Sequence, residues 1–454
     1  MRTKNSTVLL ACLVALFCLL PVSPAASEVL PAGKLLSSVP CRSRKGFSFA
    51  LYLPSSYQPG ARYPVVFCFD PAGRGDVPVR LLQETAETYG FILVGSNNSK
   101  NGPWRDILEA QRVLWKVAGQ RFKAAPGECY AVGFSGGARA AVYFALAHEK
   151  KFSGVVACGA FYPERIRFPK RTRLQFYLLV GNEDFNYFEL TRAEKMLGEH
   201  GAGHWLSEFP GPHRWPPQAY LGEAFAFFRA EQMRRGGLPT NPDFLERDAA
   251  RRVLTGKRLA ASGLLVAAWR EYSQAAALFK GTRAGREAAK HASALQQNPA
   301  VSGKLALLPR FEELHRELTR AAGLREQTPV LKELNGILRS GEPGAEWAKL
   351  LIQLAVVQYR EHAMLSLMQK SYKEAAYYYE AALALSPGDA LTHYNAACAF
   401  ARLGDKEKAL NFLEAAVNEG FDRADLMEKD PDLASLRDTP RFIRLIQRIQ
   451  SRKD

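Results

Sequence analysis

Between residues 47 and 209, short apolar runs alternate with longer stretches of helical periodicity. The runs at 47–53, 63–70, 91–96, 129–134, 154–160, 174–180 and 205–209 are rich in β-branched and aromatic residues, so they read as strands. Apolar positions three and four apart fill the gaps at 79–89, 107–122, 137–149 and 187–199, and a last helix is expected over 217–233. Strands that alternate with helices predict crossover connections and a mostly parallel sheet covered on both faces, an α/β sandwich.

After Gly237 the strand-like runs stop, and Ala, Leu, Arg and Glu at helical spacing dominate to the end. The break falls at Gly236-Gly237-Leu238-Pro239, where two glycines and a proline end the preceding helix. Residues 244–345 read as several helices with loops at Asn298-Pro299 and 341–344. In the last hundred residues the spacing sharpens into units of tetratricopeptide length. Ala375, Tyr379 and Ala382 take its small-aromatic-small positions, and Ala397, Phe400, Ala409, Leu413 and Ala416 repeat the pattern one unit later. Small residues let two helices approach, and the rings fill the space between neighbouring units. Two repeats are fewer than the three that usually stand alone, so the helices before them are expected to complete one solenoid, closed by a capping segment over 430–442. The expected division is 1–26, an export signal; 27–236, the α/β sandwich; 237–345, helices that include degenerate repeats; and 346–454, the repeats and their cap.

A chain of 454 residues exceeds one ordinary core, which agrees with several domains. At 47% hydrophobic and 23% charged residues it sits in the globular range. Arg2 and Lys4 precede an apolar run at 8–20 and small residues at 21–26, the pattern of a cleaved secretory signal. The run falls short of the ~20 residues a spanning helix needs, so no stable membrane span is expected after cleavage. Leu9-Leu10-Ala11-Cys12 stands at the start of that run, where a lipoprotein cleavage box does not belong. The formal charge of +16 is scattered rather than clustered. With no nucleic-acid motif, it reads as a solvated basic surface or one drawn to anionic envelope polymers. Five cysteines remain after the signal, and Cys68, Cys129 and Cys158 lie inside strand-like runs. No Cys/His spacing suggests a zinc site, and neither metal nor cofactor is expected.

The candidate chemistry starts at Gly133-Phe134-Ser135-Gly136-Gly137. This G-x-S-x-G string is weak alone, but it joins the strand at 129–134 to an alanine-rich helix, the context of a nucleophile elbow. Glycines around the serine let the helix and adjoining strand pack closely about a strained turn. A serine hydroxyl needs an imidazole to take its proton and a carboxylate to hold that imidazole, in the chain order Ser, acid, His. Asp184, in Gly181-Asn182-Glu183-Asp184, is the expected acid, with Glu183 its competitor. His213, between the last strand and the last helix of the sandwich, is the expected base; His148, His200 and His204 sit elsewhere in that order. One oxyanion donor is the N–H of Gly136. The second should come from Asp70-Pro71-Ala72-Gly73, where Pro71 has no N–H, so Ala72 is expected and Gly73 is next.

These residues carry a resemblance. Tyr52-Leu53-Pro54, Asp70-Pro71-Ala72-Gly73, the 133–137 elbow, the 181–184 loop and Pro212-His213-Arg214-Trp215-Pro216 resemble the α/β-hydrolase superfamily. They are most similar to its exported polyhydroxybutyrate depolymerases and feruloyl esterases. The likeness covers about 45 to 235, with Asp70-Pro71 where those families commonly show His-Gly. It implies hydrolysis of a small-molecule or polymeric carboxylic ester through an acyl-enzyme. A peptidase of the prolyl-oligopeptidase type, or a silent scaffold whose repeats bind a protein partner, are the alternatives. Only 161–173 separates the strands where a lid could insert, so an open site is expected. Phe134, Tyr162, Phe185 and Trp215 are candidates to line it, and the basic run Arg165, Arg167, Lys170, Arg171 and Arg173 to steer an anionic substrate.

Overall fold

The computed structural model describes residues 30–452 apart from 120, 123, 125–126, 163–167 and 322. The expected export signal therefore lies outside the described residues, as do Arg165 and Arg167. Eight strands form one sheet: β1 (Leu36–Pro40), β2 (Ser48–Tyr52), β3 (Val65–Phe69), β4 (Ile92–Ser96), β5 (Cys129–Phe134), β6 (Phe152–Cys158), β7 (Gln175–Glu183) and β8 (His204–Pro212). Their order is β1-β2-β4-β3-β5-β6-β7-β8. β2 runs antiparallel to β1 and β4, and the strands from β4 to β8 are mutually parallel. The helices α1 (Asp76–Tyr89), α2 (Trp104–Leu114), α3 (Gly136–Ala147), α4 (Tyr187–Glu199) and α5 (Gln218–Arg234) connect and cover the sheet.

Side chains alternate between the faces as the strand period requires. Val65, Phe67 and Phe69 of β3 enter one hydrophobic cluster, and Val66 and Cys68 enter the other. β1 is the strand that apolar patterning did not reveal. It is an edge strand with exposed Ser37 and Ser38, so it lacks the continuous apolar run of the buried strands. The expected helix at 107–122 ends as α2 at Leu114 and passes into a π-helical turn, Trp115–Gly119.

Among the described residues, only helices follow β8. They are α6 (Pro242–Ala261), α7 (Leu265–Leu278), α8 (Arg283–Gln296), α9 (Pro299–Arg320), α10 (Leu324–Ser340), α11 (Ala345–Met368), α12 (Tyr372–Leu385), α13 (Ala390–Leu403), α14 (Lys406–Asn418), α15 (Ala424–Lys429) and α16 (Pro440–Gln450), with a 3-10 turn at Pro431–Leu436. No helix among the described residues is long and apolar enough to cross a membrane. Ala375, Tyr379, Ala382, Ala397, Phe400, Ala409, Leu413 and Ala416 are all buried between helices, as the repeat pattern requires.

The helices share their cores with the sandwich. Phe311 and Leu314 of α9 and Trp347 and Leu351 of α11 join the cluster that holds Phe188 of α4. Val253 and Tyr272 of α6 and α7 join the cluster on the other face. Buried ion pairs reinforce the contact: Arg252 of α6 donates to Tyr177 Oη at 2.7 Å and Glu223 Oε2 at 3.1 Å, and its guanidinium stacks on Trp205. Arg270 of α7 pairs with Glu208 of β8. Arg252, Arg270 and Glu208 are buried, so removing a partner leaves a buried charge uncompensated.

Candidate active site

The register brings three loops together at the C-terminal edge of the sheet. Phe69 pairs with Gly133, so the loop after β3 lies beside the turn after β5. Glu183 pairs with Pro212, which sets Asp184 and His213 side by side. Between β5 and α3 the chain turns at Ser135, whose φ of 53° and ψ of −127° lie where side chains are rarely tolerated. Its neighbours must be bare. A Cβ on Gly133 would overlap the carbonyl of Gly137, and one on Gly137 would overlap the carbonyl of Phe69.

His213 Nε2 stands 2.9 Å from Ser135 Oγ, and Nδ1 lies 2.8 and 2.9 Å from the two oxygens of Asp184. In the neutral tautomer Nδ1–H donates to Asp184 while Nε2 accepts from the serine hydroxyl. Asp184 is fully buried and also accepts the N–H of Asn186 at 2.8 Å. Glu183, the competing acid, is exposed at the end of β7. The imidazole is held between Phe134 and Phe185, with ring centroids 4.6 and 4.3 Å away.

Trp215 packs on Phe134 at 5.5 Å and donates its indole N–H to Asp70 Oδ2 at 2.9 Å. Tyr162 takes its ring contacts elsewhere, edge-on to Phe168 at 5.4 Å. Two further residues that sequence reasoning missed support the histidine. Gly159, at a φ of 63°, lies where a Cβ would sit 3.1 Å from both Asp184 Oδ2 and His213 Cε1. Its carbonyl accepts from Asn186 Nδ2 at 2.7 Å. A lone glycine at a strand end was the available signal.

Gly136 opens α3, so it has no carbonyl one turn back to receive its N–H. Ala72 is different, and the expectation that it offers a free N–H is corrected: that N–H already donates to Asp70 Oδ1 at 2.9 Å. Gly73, the second choice, donates to the Asp70 carbonyl at 3.0 Å. Burial disfavours the Asp70 carboxylate, but hydrogen bonds from Arg74, Trp215 and Ala72 outweigh it and hold the carboxyl below its ordinary value. This buried carboxylate gathers the loop after β3 onto itself.

The expected openness also needs correction. No lid is inserted at 161–173, but the helices after β8 wall one side of the site. A cavity of about 1160 Å³ runs from His213 and Phe185 to Leu264 and Leu265 beside α7, Ala300 of α9 and Leu350 and Val357 of α11. The described residues contain no cluster of His, Cys, Asp and Glu that could hold a metal ion.

Strand order, an antiparallel second strand and a strained serine turn after β5 together define the α/β-hydrolase fold. Behind it stand tetratricopeptide repeats: the tetratricopeptide repeat family model matches residues 366–429. Among curated proteins none matches the chain. Among solved structures, S-formylglutathione hydrolase (FrmB) from Staphylococcus aureus is similar at 13% identity and a TM-score of 0.35, covering 45% of this chain and 98% of that one. Est1E from Butyrivibrio proteoclasticus is similar at 12% identity and a TM-score of 0.35, covering 44% and 99%. The hyperthermophilic esterase from Pyrobaculum calidifontis is similar at 12% identity and a TM-score of 0.34, covering 44% and 80%. The functional argument rests on the site itself.

Proposed function

We propose that the protein is an exported serine hydrolase that cleaves carboxylic esters through an acyl-enzyme, with repeats that bind a protein partner. The observation that carries this reading is the unbroken relay from Asp184 through His213 to Ser135. Ser135 Oγ attacks the ester carbonyl as His213 Nε2 takes its proton. The oxyanion that forms receives the N–H of Gly136. His213 then returns the proton to the departing alcohol oxygen, and the C–O bond breaks. Water repeats the sequence on the acyl-enzyme and releases the acid. Asp184 holds Nδ1–H throughout, which keeps Nε2 free to accept.

Export rests on the basic start and apolar run of the first 26 residues. The repeat surface is assigned to a protein partner because such solenoids present extended faces for binding. A fluorophosphonate probe should label the wild type and not Ser135→Ala, and His213→Ala should abolish turnover of p-nitrophenyl acetate. Labelling that persists in Ser135→Ala would remove the assignment. Faster cleavage of peptide amides than of matched esters would move it to a peptidase.

A further inference from the structure

We propose that the cavity between the catalytic loops and the downstream helices is the leaving-group subsite, and that it takes an extended, uncharged, apolar alcohol. This rests on the serine-hydrolase reading. His213 must hand its proton to the departing oxygen, so the alcohol lies on the imidazole's side of Ser135. The cavity begins on that side, at His213, Pro212 and Phe185, while Ser135 and Gly136 lie outside its lining, so it would receive the alcohol beyond its first atoms. Its deeper walls are apolar, with Leu264 and Leu265 facing Leu350, Val356 and Val357. Most charges along it are spent on one another, and the two that make no ion pair among the described residues, Glu183 and Lys349, are of opposite sign. Lys304 pairs with Glu346 at 2.6 Å, Arg360 with Asp389 at 2.7 Å, and Glu208 with Arg270. Neutralised walls of this kind suit a hydrocarbon chain better than a polyanion.

Each methylene buried there is worth up to about fourfold in kcat/KM. The test compares methyl, butyl and octyl acetate with methyl acetate, butyrate and octanoate. Wild-type kcat/KM should climb along the alcohol series. Gln353→Trp, at an exposed position of α11 on the cavity wall, should lower the ratio of octyl acetate to methyl acetate kcat/KM tenfold or more. Leu264→Trp repeats the test from the opposite wall. A flat alcohol series, or variants that instead lose the acyl series, overturns the proposal while leaving the hydrolase reading intact. A wild type that neither reacts with a fluorophosphonate nor hydrolyses methyl acetate brings down both.

A separate observation carries a second inference: Asn101 supplies the missing oxyanion donor through its side-chain amide. The N–H groups of residues 72 to 75 are all engaged, by Asp70 and by Asn97 Oδ1. Pro71 has none. Asn101 is tied to the same loop, its backbone N–H donating to the Pro71 carbonyl at 2.7 Å. Its amide lies against Gly136, where a Cβ would overlap Oδ1 and sit 3.2 Å from Nδ2. With the carboxamide turned so that Nδ2 takes the place of Oδ1, a half-turn of the amide, a donor would stand beside the Gly136 N–H to meet the oxyanion. Asn101→Ala should lower kcat about 10²- to 10³-fold with KM within threefold. Affinity for a phenylboronic acid should fall in parallel, and the thermal midpoint should not move, because the side chain is exposed. A kcat within fivefold of wild type, or a loss confined to KM, refutes the assignment.

Discussion

Replacing Ser135 separates backbone strain from chemistry. At φ 53° and ψ −127° the residue occupies a region that glycine enters freely and other residues enter at about 1–3 kcal/mol. Ser135→Gly relieves that strain but adds freedom to the unfolded chain, which costs about 0.4–1 kcal/mol. Ser135→Ala keeps the strain. The glycine variant should therefore be more stable than the alanine variant, by roughly 1.3 kcal/mol at the middle of the two ranges and at most about 2.6 kcal/mol. Neither variant retains a nucleophile, so activity does not enter the comparison. Scanning calorimetry reads the difference as a rise of about 2–4 °C in midpoint per kcal/mol for a domain of this size. An alanine variant more stable by about 0.4–1 kcal/mol would show that the turn holds no strain, since only the entropy cost of glycine would then remain.

Asp184→Asn should lower kcat by about 10⁴-fold by favouring the wrong imidazole tautomer, while Glu183→Gln stays within twofold in the same ester assay. Gly159→Ala should cost about 10- to 100-fold in kcat, since its methyl would press on Phe134, Asp184 and His213 together; activity near wild type would show that the imidazole has room to move. Acid should loosen the contact of α9 with α4. His315 is held neutral by burial and by Arg192, whose guanidinium donates to Nδ1 at 3.0 Å, and its pKa is pushed down to about 3. The unfolded chain takes up that proton first, so stability is lost as pH falls from about 6.5 toward 3. In His315→Gln the urea midpoint should fall less between pH 7 and pH 4; an unchanged slope would clear His315 of the effect.

Most of the sandwich was legible because buried parallel strands leave largely apolar runs, as β3 to β7 do, while the edge strand β8 is broken by Ser207 and Glu208. The order Ser135, Asp184, His213 was legible because strand ends and elbow context depend on local sequence. What stayed hidden depends on distant side chains. Asp70 claims the N–H of Ala72 through a carboxylate held in place by Arg74 and Trp215, and Trp215 lies far along the chain. Asn101 sits in a loop with no motif of its own. The wall that α7, α9 and α11 give the site has no periodic signature either, because an amphipathic helix looks the same whichever surface it covers.

Cys41, Cys68, Cys129, Cys158 and Cys398 are all buried as free thiols, and burial pushes each of them up in pKa. Neither alkylating reagents nor oxidants can reach such sulfurs while the chain stays closed. The set therefore serves as a built-in clock: Cys68, Cys129 and Cys158 time the opening of the sheet, and Cys398 times that of the repeats. Reading which sulfur is modified first under mild denaturant would tell which half of the molecule lets go before the other.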